Sequence, residues 1–139
     1  MSQEPAKQKI VDACLRVPCT QRNFIRAWMK FLRPIHKLTD KETDVAAQFV
    51  EQWMKLSTEV KDEAHLNKLL FSKEIKDQIC DNLGLKQPYF RTILQRLRRN
   101  GIIEGNKLSK MYIPSYVPGK KFRLMVIFDD AALSGEHNK

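Results

Sequence analysis

The side chains best equipped for chemistry lie between positions 87 and 110: Gln87, Arg91, Thr92, Gln95, Arg96, Arg98, Arg99, Lys107 and Lys110. Guanidinium and ammonium groups at this density, interleaved with amide and hydroxyl groups, suit contact with a polyanion rather than bond breaking. Arginine presents paired planar donors that match a phosphate or a base edge, and a glutamine amide both donates and accepts. No other constellation competes. Cys14, Cys19 and Cys80 are an odd set at spacings that fit no zinc pattern, and His36, His65 and His137 stand far apart. There is no glycine-rich phosphate loop, no cysteine–histidine pair at working spacing and no carboxylate pair outside an acidic helical stretch. Neither a metal, a cofactor nor a catalytic activity is therefore expected.

The net charge of +9 is unevenly distributed: residues 1–38 carry +6, residues 39–85 −4, residues 86–123 +9 and residues 124–139 −2. Two basic zones are thus separated by an acidic one, and the second alone matches the total. With 139 residues, 42% of them apolar, the chain has material for one core. No run approaches the roughly 18 apolar residues of a membrane span. The polar opening Met1-Ser2-Gln3-Glu4-Pro5 lacks the apolar stretch of a secretory signal. The expectation is a protein of the cytosol, or one assembled there, without membrane contact.

The elements that must hold the basic cluster follow from periodicity. Phe90, Ile93, Leu94 and Leu97 make the buried stripe of a helix over Gln87–Arg99, with Pro88 in its first turn, where a missing N–H is harmless. Pro88, Arg91, Thr92, Gln95, Arg96 and Arg99 fall on the opposite side. Upstream, Ser72 is an N-cap, Ile75, Ile79 and Leu83 recur every four residues, and Gly84 stops that helix at the turn Leu83-Gly84-Leu85. Downstream, Asn100-Gly101 closes the basic helix. Residues 102–103, 104–107 and 111–113 then read as strand, turn and strand.

Further out, Thr39 and Glu42 form a capping box for a helix from Asp40 to about Leu56, with Val45, Ala46, Phe49, Trp53 and Leu56 on one face. Residues 57–65 read as an irregular connection. Residues 20–37 predict a basic amphipathic helix. Phe24, Trp28, Phe31, Leu32 and Ile35 form its stripe, Arg22, Arg26, Lys30, Arg33 and Lys37 lie opposite, and Pro34 kinks or ends it. Trp28 and Trp53 are expected in the core. Residues 120–128 alternate, with Phe122, Leu124, Val126 and Phe128 on one face of a third strand that extends the sheet or pairs with another chain. The predicted organisation is an N-terminal arm over 1–38, a domain over 39–116, and a C-terminal strand and tail over 117–139.

The run Ser72-Lys73-Glu74-Ile75, Ile79 and Leu83-Gly84-Leu85, followed by Phe90, Ile93, Leu94, Leu97 and Gly101-Ile102-Ile103, resembles the winged helix-turn-helix superfamily. The resemblance covers residues 66–113. It implies a mainly α fold with a small β-wing, here preceded by the basic amphipathic helix and followed by the extra strand. It also implies that helix 87–99 enters the major groove of duplex DNA, with Arg91 and Gln95 at base edges. Arg96, Arg98, Arg99, Lys107 and Lys110 would then meet phosphates. Pro88 on the exposed face, Lys86 at the cap position and the short, acidic turn Glu104-Gly105-Asn106-Lys107 depart from the common pattern. The first two lie at the start of the helix expected to enter the groove, and the short, acidic turn argues against deep insertion of the wing into a minor groove.

The whole arrangement also looks like small winged-helix proteins encoded by large tailed bacteriophages. That likeness implies either DNA binding in the host cytoplasm or a structural place in the virion, as a ring or connector near the portal or tail. In the second case Phe24, Trp28, Phe31 and Ile35, with Phe122, Leu124, Val126 and Phe128, would make subunit contacts in a homo-oligomer.

Overall fold

Thr39 starts the helix on which the other elements pack. Its hydroxyl accepts the Glu42 N–H at 3.3 Å while the Glu42 carboxylate accepts the Thr39 N–H at 3.0 Å, the reciprocal box expected of this sequence. In the computed structural model, residues 16, 19–20, 23–115, 120 and 122–123 are described, and Cys19–Ser115 make one compact unit. In chain order the helices are α1 (Phe24–Phe31), α2 (Arg33–His36), α3 (Asp40–Ser57), α4 (Glu63–Leu70), α5 (Lys73–Leu83) and α6 (Gln87–Arg99). An antiparallel hairpin of β1 (Ile103–Glu104) and β2 (Lys107–Leu108) follows, then a 3-10 turn at Lys110–Tyr112. The described part is therefore mainly α-helical with one small two-stranded sheet.

Helix α3 touches α1, α4, α5, α6 and β2. Val45, Ala46, Phe49 and Val50 are completely removed from solvent. The Phe49 ring lies 5.3 Å from that of Phe71, between α4 and α5, and 6.4 Å from that of Phe90 on α6, distances at which aromatic pairs attract. Ser72 caps α5 as expected, accepting the Ile75 N–H at 3.4 Å. Gly84 ends it at φ +64, a left-handed conformation open to a residue without Cβ, and Leu85 N–H closes the turn on the Cys80 carbonyl. Helix α6 starts three residues later with Phe90, Ile93, Leu94 and Leu97 turned inward, as its spacing predicts.

The hairpin is tighter than expected. The second strand is Lys107–Leu108, while Met111 and Tyr112, read as strand, belong to the 3-10 turn. Gly105, at φ +66, supplies the positive φ that a two-residue hairpin loop needs at its first central position. Pairing of Ile103 with Leu108, both buried, fixes the register. Asn67 on α4 accepts the Leu108 N–H at 3.2 Å and pins the hairpin to the helices.

Two further expectations change. Residues 63–70, part of which reads as connection, form α4, because its few inward residues (Leu66, Asn67, Leu70) are too short a series to show a period. The N-terminal helix breaks at Leu32, where the chain restarts as α2 with Pro34 in its first turn. Its buried stripe is Phe24, Ile25, Met29 and Leu32 rather than the one expected, leaving Phe31 and Ile35 56% and 54% exposed. The rotation is held by the Trp28 indole N–H, which donates to the Tyr112 carbonyl at 2.9 Å, and by His36.

His36 is buried between these parts. Its Nδ1 accepts the Leu38 N–H at 3.0 Å, so in the neutral ring Nε2 carries the proton and donates to the Met29 carbonyl at 2.8 Å. Its own carbonyl accepts from the Asn100 amide at the end of α6, at 2.9 Å. Burial pushes the imidazole pKa below its ordinary 6.5, the Met29 bond opposes this, and the nearby Arg33 adds to it.

Two consequences are measurable. Phe49→Ala empties the centre of the core and costs about 3–5 kcal/mol in urea denaturation. The depressed His36 pKa means the unfolded chain takes up the proton first, so this contribution is intact above pH 6.5 and is lost as pH falls below it. Stability should drop between about pH 7 and pH 5. A His36→Gln variant, less stable at neutral pH, should show a shallower drop.

Candidate nucleic-acid interface

Helix α6 positions the basic cluster. Its last turn holds Arg96, Arg98 and Arg99, where positive charge also complements the exposed carbonyls of the helix end. With Phe90, Ile93, Leu94 and Leu97 inward, Arg91, Thr92, Gln95, Arg98 and Arg99 are all exposed on the other side. At 100° per residue, Arg91, Gln95 and Arg98 fall within about 60° of one another.

The cluster nonetheless divides in two. Arg96 Nε lies 3.3 Å from a carboxylate oxygen of the nearly buried Glu42. Arg96 Nε is itself buried and lacks an aligned hydrogen bond, so this contact is a charge attraction rather than a directed bond. Lys110 Nζ is 2.7 Å from the Glu63 carboxylate. The Gln87 amide donates to Asp77 at 3.2 Å and approaches Cys80 Sγ at 3.7 Å, and the Thr92 hydroxyl donates to the Pro88 carbonyl at 3.2 Å. These four, expected to face a ligand, are engaged within the fold instead. Arg91, Gln95, Arg98, Arg99 and Lys107 make no side-chain hydrogen bond or ion pair among the described residues.

Two shallow depressions adjoin this face. One, of about 560 Å³, runs along the α5–α6 seam and includes Lys76, Asp77, Gln87 and Arg91. The Asp77 carboxyl there is held below its usual range by the hydrogen bond from Lys73, at 2.9 Å. The other, of about 700 Å³, lies under the hairpin and includes Lys68, Lys76, Arg98, Glu104 and Lys107. Lys68 and Lys76 had no signal in the sequence: they belong to the acidic zone, and only the packing of α4 and α5 brings them beside Arg98.

No protein-family model, curated protein or solved structure matches the chain. Its own geometry therefore carries the functional reading. No helix among the described residues is long and apolar enough to cross a membrane, and no three His, Cys, Asp or Glu side chains there converge as metal ligands would.

Of the residues expected to meet a partner subunit, Phe24 lies in the domain's own core and Trp28 is half-buried against Tyr112. Phe31 and Ile35 are open to solvent. Phe122 is half-buried outside any regular element. Leu124, Val126 and Phe128 lie outside the described residues, while Lys120 and Arg123, in the first part of the expected strand, are exposed.

The division of the cluster is open to test. Arg96→Ala removes the partner of the nearly buried Glu42 carboxylate and should lower stability by about 2–3 kcal/mol while leaving retention on heparin resin nearly unchanged. Arg98→Ala with Arg99→Ala should do the reverse, eluting at clearly lower salt with an unaltered melting temperature.

Proposed function

We propose that this chain is a non-enzymatic nucleic-acid-binding protein of winged-helix type that presents α6 to the major groove of duplex DNA. The observation that carries this reading is the separation of its cations. Glu42, Glu63 and Asp77 are matched within the fold by Arg96, Lys110 and Lys73, whereas Arg91, Arg98 and Arg99 stand exposed on one side of one helix with Lys107 on the adjoining hairpin. A major groove is wide enough to admit such a helix.

Within that arrangement Gln95, between Arg91 and Arg98, is placed for base edges, since a glutamine amide pairs with adenine. Arg91, Arg98, Arg99 and Lys107 serve phosphates, which supply affinity without sequence information. The two-residue turn at Gly105 and Asn106, beside Glu104, suits a hairpin that rests on the backbone rather than one that penetrates the minor groove.

The exposed Phe31 and Ile35, either side of Pro34, favour a second reading, in which the chain is a subunit of a phage particle and self-associates through α1 and α2. The first reading has it act in the host cytoplasm, the second in the virion.

Fluorescence anisotropy with a duplex of about 24 base pairs separates them. With four free cations on phosphates or bases, log K should fall against log salt with a slope of at least about −3. Arg98→Ala with Arg99→Ala should reduce that slope by about 2, and Gln95→Ala should relax sequence preference with little change in slope. Absence of binding at roughly 50 mM salt would rule the reading out. Tighter binding to duplex RNA of the same length would move it to RNA, and a stable ring dissolved by Phe31→Glu would favour the second reading.

A further inference from the structure

The two depressions beside α6 share one residue. Lys76, half-buried on α5, lines both: the seam depression with Arg91 and the hairpin depression with Arg98, Lys68 and Lys107. Arg91 and Arg98 are seven residues apart on α6, about 10 Å at 1.5 Å per residue. That is the axial rise of about three base pairs at roughly 3.4 Å per step. Five cations thus follow a continuous line from the α5–α6 seam to the groove under the hairpin. Two of the acids along this line are already matched, Asp77 by Lys73 at 2.9 Å and Glu63 by Lys110 at 2.7 Å. Asp81 and Glu104 remain, so the line keeps an excess of positive charge.

We infer that this line is a track for one phosphodiester backbone of the bound duplex, with Lys76 at its middle and Lys68 at its far end. The inference rests on the nucleic-acid reading above and adds a contact surface outside α6. The charge complementarity favours a backbone, which carries a regularly spaced negative charge: five cations on this line lack an acidic partner among the described residues, against the two unmatched acids Asp81 and Glu104. The salt dependence is then that of about six contacts rather than four, with a slope near −5.

Lys68→Gln with Lys76→Gln keeps most of each side chain and removes both charges. It should bring the slope back by about 2 and weaken duplex binding at least tenfold near 0.1 M salt, with no change in the ranking of DNA sequences. Glu104→Gln, an exposed change that removes a repulsive charge from the track, should tighten binding. If the wild type binds and Arg98→Ala with Arg99→Ala weakens it, but neither the double lysine variant nor Glu104→Gln alters affinity or slope, the track is wrong and α6 alone makes the contact. If the wild type does not bind duplex DNA, both the track and the reading beneath it fail.

Discussion

Glu42 uses its two carboxylate oxygens on different elements. One accepts the Thr39 N–H where α3 begins, and the other faces Arg96 Nε at 3.3 Å on α6. Because the residue is nearly buried, a carboxylate there is tolerable only with such partners. The pair joins one edge of α6 to the start of α3. With Arg96 drawn to this edge and Phe90, Ile93, Leu94 and Leu97 inside, Arg91, Gln95, Arg98 and Arg99 have nowhere to point but outward. The buried stripe of α6 and this edge contact together select which cations remain available.

A second set of contacts ties distant parts of the sequence together. His36 binds Met29, Leu38 and Asn100, and Trp28 binds Tyr112, so α1 and α2 are fastened both to the end of α6 and to the chain after the hairpin. These bonds use the buried side of α1 and α2. They leave Phe31 and Ile35 on the outside, which is why an apolar pair appears on a surface that is otherwise polar around it.

Much of this was legible in the residues. Local chemistry announced itself: the box at Thr39 and Glu42, the Ser72 cap, the Gly84 stop and the four-residue recurrence in α5 and α6 depend only on neighbours in sequence. What failed to show was tertiary. Helix α4 turns too few residues inward to display a period, and the hairpin register is chosen by burial of Ile103 with Leu108 rather than by strand propensity. The buried stripe of α1 departs from the periodic one, with Trp28 drawn to Tyr112, 84 positions away. In the candidate site the sequence located the basic helix, but it cannot show that Arg96 and Lys110 have acidic partners elsewhere in the fold. Nor can it show that Lys68 and Lys76 come to lie beside Arg98.

The central claim is that the outward side of α6, with the hairpin beside it, is the surface that meets nucleic acid. Amide chemical-shift mapping of the labelled protein, titrated with a short duplex, tests this most directly. The expected result is that shifts concentrate in residues 86–99 and 104–107, with α1 and α2 silent. Shifts centred on Phe31 and Ile35, or none at saturating duplex, would contradict it.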